Sequence, residues 1–109
     1  MEMHQIKYFL ALCEELSFTR AAKRCGVSQP SLTNGIKALE EALDGELFTR
    51  RPSIAVTRLG SAVRPRLMRI AGDAEKVLEV ARSFKQDRLR RVVPHAPAYG
   101  SETPDVPRA

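Results

Sequence analysis

No run of apolar residues in this 109-residue chain approaches the roughly twenty that a bilayer-spanning helix needs, and the opening stretch MEMHQIKYF has no uninterrupted hydrophobic core of the signal-peptide kind. A cytoplasmic protein without membrane association is therefore expected. Cysteine is scarce: Cys13 and Cys25 are the only two. Each falls on the apolar side of an expected helix, without a second pair or a histidine at ligand spacing, so buried thiols are expected in place of a redox or metal centre. His4 and His95 read as surface residues. A glycine-rich phosphate loop, a His/Cys/Asp cluster and a paired-carboxylate pattern are all missing, which argues against an enzyme and gives no cofactor to expect. The length suits one small domain with an extension and leaves no room for a second core, so no small-molecule effector site is expected within this chain.

What is present is organised around FTRAAKRCGVSQPSLTNGIK, Phe18 to Lys37. A short helix from about Phe18 to Cys25 carries the small side chains Ala21 and Ala22, where a second helix can approach closely. Gly26 stops it, since glycine enters the left-handed conformation at little cost. Ser28 is a good N-cap for the next helix, and Pro30 falls in its first turn, where the missing N–H is no loss. The three-residue connection is that of a helix-turn-helix. In the second helix Leu32, Ile36, Leu39 and Leu43 form one apolar stripe at spacings of four and three. The opposite face holds Gln29, Thr33, Asn34 and Lys37, short hydrogen-bonding groups and one cation. Such side chains reach base edges and phosphates when a helix lies in the major groove; an ordinary solvated face would look the same from this stretch alone.

Around this pair the chain supplies supports. Residues 3 to about 15 read as a helix with Ile6, Phe9, Leu10 and Cys13 on one side, completing a three-helix core in which Leu16 and Phe18 anchor the connection. Ser17 caps the second helix, and Thr19 and Arg20 stand where a helix N-terminus would meet a phosphate. After the acidic turn Asp44 to Glu46, Leu47-Phe48 returns to the core. Phe48 to Arg50 and Ile54 to Thr57 then pair as a small wing whose Arg50 and Arg51 are candidates for backbone contact. Thr57 caps a long helix, with Pro65 expected to bend or start it. Val63, Leu67, Ile70, Ala74, Val77, Ala81 and Phe84 alternate at spacings of four and three, the 3.5-residue repeat of a coiled-coil seam, although Leu78 and Val80 widen the stripe locally as in a helix lying on its own domain. Two heads joined by such a seam would read half-sites roughly 34 Å apart, so the expected target is an inverted repeat in double-stranded DNA bound by a homodimer. From Asp87 to Ala109 the sequence loses periodicity and gathers prolines, and disorder is expected.

The formal charge is +5 and the isoelectric point about 9.7, which favours a polyanionic partner. Residues 1 to 57 nevertheless hold seven Lys/Arg and seven Asp/Glu, whereas 58 to 91 hold ten against four. The expectation of DNA binding thus rests on arrangement. Arg20, Lys23, Arg24, Lys37, Arg50, Arg51 and Arg58 flank the reading face, and Glu14, Glu15, Glu40, Glu41 and Glu46 are expected at helix ends elsewhere.

Several motifs in register, SFTRAA (Ser17 to Ala22), VSQPSLT (Val27 to Thr33), IKALEEAL (Ile36 to Leu43), LFTR (Leu47 to Arg50) and TRLG (Thr57 to Gly60), make residues 1 to about 85 resemble the N-terminal winged helix-turn-helix of LysR-type transcriptional regulators. The resemblance implies a recognition helix whose Gln29, Pro30, Ser31, Thr33, Asn34 and Lys37 face DNA, with Ser28 at its head. It also implies a linker helix that pairs two subunits. Thr33, Asn34 and Gly35 depart from the family's usual residues, as does Asp44, where the family usually has glycine and this chain has Gly45 one place late. The family normally continues into an effector-binding domain for which this chain has no room.

The expected fold is therefore mainly α: a winged helix-turn-helix of three helices and a small hairpin over residues 1–57, a dimerisation helix over 58–86 and a disordered tail over 87–109. The expected function is sequence-specific regulation of transcription. The competing reading is a stand-alone or truncated head that acts through mixed dimers or partner docking, without a promoter of its own.

Overall fold

A computed structural model of the chain describes residues 1–90. Its elements are α1 (Met3–Glu15), α2 (Phe18–Cys25), α3 (Gln29–Leu43), β1 (Phe48–Thr49), β2 (Ala55–Val56) and α4 (Arg58–Arg90). The fold is a winged helix-turn-helix, and the chain divides into a head, Met1–Glu75, and a helical segment that begins at Lys76.

Local chemistry sets the boundaries in the head. Ser17 accepts a hydrogen bond from the Arg20 N–H and opens α2; Ser28 accepts one from the Ser31 N–H and opens α3. Gly26 ends α2 with φ 69°. The α1–α2 connection is less economical, because Leu16 itself takes the left-handed conformation at φ 50° and is 44% exposed. Leu16 is therefore not the core anchor expected of it. It closes α1 through its N–H to the Leu12 carbonyl, and the turn aims its side chain at solvent. Phe18 is half-buried against the core.

The core is formed by Ile6, Phe9, Leu12, Ala21, Ala22, Leu32, Ile36, Leu39, Leu47 and Phe48, with Leu67 added from α4. Phe9 and Phe48 meet at 5.5 Å between ring centroids. Burying each large apolar side chain is worth about 1.5–3 kcal/mol. Cys13 lies in this core, and burial pushes its thiol up to about 11, away from the reactive thiolate. Cys25 is only partly buried. His4 is exposed, whereas His95 lies outside the described residues.

The wing is short: Phe48 pairs with Val56 and Thr49 with Ala55 in an antiparallel ladder. Thr57 joins it to α4. Its hydroxyl donates to the Glu46 carbonyl at 2.7 Å and accepts from the Gly60 N–H at 3.0 Å, and its own N–H reaches the Leu47 carbonyl at 2.9 Å. The helix starts at Arg58 and continues through Pro65, so the proline neither starts nor ends it. The carbonyl deprived of a partner by the missing N–H belongs to exposed Ser61, where water can replace it.

Two positions on the expected seam belong elsewhere. Leu67 is 4% exposed in the core of the head, and Val63 packs against that core together with Leu59 and Ala71. Leu59, Val63, Leu67 and Ala71 are a row at spacings of four, the ridge a helix presents to a neighbour. The first half of α4 is thus a supporting helix of the head. Beyond Glu75 the helix is exposed throughout, including Val77 at 67% and Phe84 at 74%. It continues through Asp87 to Arg90, four residues past the expected end; the remainder of the expected disordered tail, 91–109, lies outside the described residues. No described helix is long and apolar enough to cross a membrane.

Gly60 and Gly72 lie in the same helix with opposite surroundings. A Cβ on Gly60 would lie 2.5 Å from the Leu47 carbonyl oxygen and 2.7 Å from Val56, whereas one on Gly72 would meet nothing within 4 Å. Glycine in a helix interior costs about 1 kcal/mol relative to alanine. Gly72→Ala is therefore expected to stabilise by up to ~1 kcal/mol, and Gly60→Ala to destabilise by about 1–3 kcal/mol because backbone cannot give way. Urea titration of both variants checks the sign reversal; equal shifts would remove the close approach at Gly60 as its cause.

Candidate nucleic-acid interface

One side of α3 faces inward through Leu32, Gly35, Ile36 and Leu39, all buried. The other side leaves Gln29, Pro30, Ser31, Asn34 and Lys37 exposed and Thr33 half-buried. Burial of the first set fixes the helix about its axis, so the polar set is presented by packing and not by its own contacts. Ser28 stands at the head. Its hydroxyl accepts from the Ser31 N–H at 3.2 Å and donates to Ser31 Oγ at 2.9 Å.

Gly35 is part of this placement. A Cβ there would lie 2.5 Å from the Tyr8 ring, so α1 and α3 approach through the missing side chain. Tyr8 in turn stacks edge-on with His4 at 5.4 Å. A shallow groove beside the reading face is lined by His4, Gln5, Tyr8, Ser31, Asn34, Gly35 and Ala38.

The C-terminal end of α3 is bonded to the wing through Glu40, which the sequence pattern placed among acids remote from the reading face. Its carboxylate accepts from the Leu47 N–H at 2.8 Å and lies 3.7 Å from the Arg50 guanidinium, and only 12% of the side chain is exposed. Arg50 also donates to the Phe48 carbonyl at 3.0 Å and lies 5.5 Å over the Phe18 ring. Arg50 is thus folded across the root of the wing, while Arg51 stands exposed at its tip. Glu40 escapes sequence reading because its partners lie seven and ten residues away, across a turn.

The other acids also sit against the cations. Glu15 accepts from Arg20 Nε at 3.3 Å and Arg24 Nη1 at 3.2 Å, its backbone carbonyl accepts from Arg20 at 2.8 Å, and Glu14 pairs with Arg24 at 2.6 Å. The expected segregation of acids from the reading side is therefore corrected: Glu14, Glu15 and Glu40 orient it. Exposed pairs of this kind are worth about 0–1 kcal/mol, so Arg20, whose side chain is 66% exposed, remains available to a phosphate. Among the described residues Lys23, Lys37, Arg51 and Arg58 form no ion pair.

The family model described as "bacterial regulatory helix-turn-helix protein, lysR family" matches residues 3–61. The HTH-type transcriptional regulator BudR of Klebsiella aerogenes is 40% identical over 85 residues, covering 77% of this chain and 59% of BudR. The HTH-type transcriptional regulator IlvR of Caulobacter vibrioides is 35% identical over 86 residues, covering 78% of this chain but 29% of IlvR. Among solved structures, a CbnR DBD–DNA complex superposes with a TM-score of 0.70 at 36% identity, covering 78% of this chain and 99% of that one.

Removing the Glu40 carboxylate would leave the Leu47 N–H without its acceptor and Arg50 without its acid. Glu40→Ala is expected to cost about 1–3 kcal/mol. Glu40→Gln, which keeps an acceptor, should lose less. Denaturant melts of the two variants measure this, and an alanine variant within ~0.5 kcal/mol of the parent would show that the pairing contributes nothing.

Proposed function

The chain belongs to the LysR family of bacterial regulatory helix-turn-helix proteins, and from that premise we propose that it binds double-stranded DNA sequence-specifically as a regulator of transcription. The observation that carries the proposal is the division of α3: Leu32, Ile36 and Leu39 are fully buried while Gln29, Ser31, Asn34 and Lys37 are exposed on the same helix. A helix held by its apolar side and open on a side of amides and hydroxyls has the shape and chemistry to enter a major groove.

Roles follow from side-chain chemistry. Gln29, Thr33 and Asn34 face base edges. Ser28, Pro30 and Ser31 approach the duplex at the head of the helix, where the positive end of the helix dipole favours a phosphate. Lys37, Arg20 and Arg51 contact phosphate oxygens, and Arg50 braces the wing that carries Arg51. Each phosphate contact releases counterions, so the logarithm of the affinity should fall linearly with log salt.

The functional unit is a homodimer paired through the part of the heptad seam beyond Leu67, namely Ile70, Ala74, Val77, Ala81 and Phe84. Val77 and Phe84, at 67% and 74% exposed, are large apolar groups at heptad spacing, which water disfavours and a second copy of the same helix would cover. Two heads held together bind an inverted repeat, and joining two sites raises affinity by about 10²–10⁴ over a single head. A regulator of this kind acts in the cytoplasm, where its operator is. Because the chain spans 29% of IlvR and 59% of BudR, the activities of those longer proteins are not carried over.

Two measurements check this. Selection of bound sites from random duplexes should return an inverted repeat with half-sites one helical turn apart. In a salt titration Arg51→Ala and Lys37→Ala should each weaken all sequences alike and flatten the log–log slope by about 1; a parent slope near zero would remove the phosphate contacts. Separately, Val77→Lys with Phe84→Lys should convert the dimer to a monomer in sedimentation and reduce inverted-repeat affinity by roughly 10²-fold or more. An unchanged sedimentation coefficient would exclude this seam.

A further inference from the structure

Thr19, in the first turn of α2, and Gln29, the first residue of α3, meet across the helix-turn-helix. Thr19 Oγ1 donates to Gln29 Oε1 at 3.2 Å, and both side chains are exposed. This contact orients the amide that heads the reading face. A glutamine reads adenine by setting its oxygen and nitrogen side by side, the oxygen accepting from N6 and the nitrogen donating to N7, whereas guanine offers only acceptors, N7 and O6. With Oε1 drawn back toward α2, Nε2 and its two hydrogens form the end of the amide left for a base.

The neighbouring hydroxyl is biased the same way. Ser31 Oγ already accepts from Ser28 Oγ at 2.9 Å, so its hydrogen is free to be donated outward. We propose that Thr19 is a specificity-determining residue: by holding the Gln29 carbonyl it makes the head of α3 a donor surface that selects guanine over adenine at the base pair Gln29 meets. The proposal rests on the DNA-reading function proposed above and adds a base to it. Thr19 acts through Gln29 and is a positioning residue, not a base ligand.

The test is selection from random duplexes with the full chain and its Thr19→Val, Thr19→Ser and Gln29→Ala variants, each confirmed folded by circular dichroism. The parent should select guanine at one position of each half-site. Thr19→Val, nearly identical in shape but unable to donate, should lose about tenfold of the guanine-over-adenine preference there, equivalent to ~1.4 kcal/mol. Thr19→Ser should keep that preference, and Gln29→Ala should abolish it at the same position. Four results overturn the proposal: a parent that selects adenine at the Gln29 position, a valine variant with the parent's base ratio, a valine variant that weakens every sequence equally, as loss of a phosphate ligand would, and a serine variant that behaves like valine. A parent that selects no sequence at all overturns the DNA-reading function itself, a failure recognisable because it appears before any variant is compared.

Discussion

Both backbone polar groups of Leu47 are bonded to other elements, and this ties the head together. Its N–H is held by the Glu40 carboxylate from α3, its carbonyl by the Thr57 N–H at the start of α4, and its side chain is fully buried. A backbone segment with neither group exposed to water must be satisfied by the protein, and each bond also fixes a direction. Through this one residue the end of α3, the root of the wing and the cap of α4 share a position. Gly60 allows α4 to come that near, since any Cβ would strike the same carbonyl. The wing, only two residue pairs long, is too short to hold itself; it keeps its angle to α3 because its base is bonded on both sides.

Most of the fold was legible because its signals are local. Ser17 and Ser28 as caps, Gly26 as a stop and the stripe of Leu32, Ile36 and Leu39 each act within a few residues, and the structure has them all in those roles. What was not legible depends on partners distant in sequence. A helical period reports that a side is apolar but not what covers it, so the row Leu59, Val63, Leu67 and Ala71, which supports the head, merged with the heptad positions beyond it. Leu16 looked like an anchor by composition, yet its left-handed backbone turns it outward. The late glycine after α3 has a comparable explanation: Asp44 takes the left-handed conformation at φ 57°, and at Gly45 the end of the Leu59 side chain lies 2.6 Å from where a Cβ would be and would have to shift to admit one.

The candidate interface was legible as a set of residue types and illegible as a circuit. Gln29, Ser31, Asn34 and Lys37 are exposed as their pattern implies, but the couplings of Thr19 to Gln29, Glu15 to Arg20 and Glu40 to Arg50 join residues across turns. Such couplings matter more than net charge on a head whose charges nearly cancel. An arginine already held by a carboxylate loses less side-chain freedom when it meets a phosphate, so the acids lower the ordering cost of binding while reducing the long-range attraction.

The contact between Gly35 and Tyr8 has a consequence for how this protein can change over time. Because the aromatic ring of α1 occupies the volume a side chain at position 35 would need, neither residue is free to drift alone. Enlarging position 35 demands a smaller group at position 8, and the two should co-vary among descendants of this chain. Since position 35 follows Asn34 directly, a new binding preference that required a different residue there would have to be reached through α1, a helix that need never touch the nucleic acid.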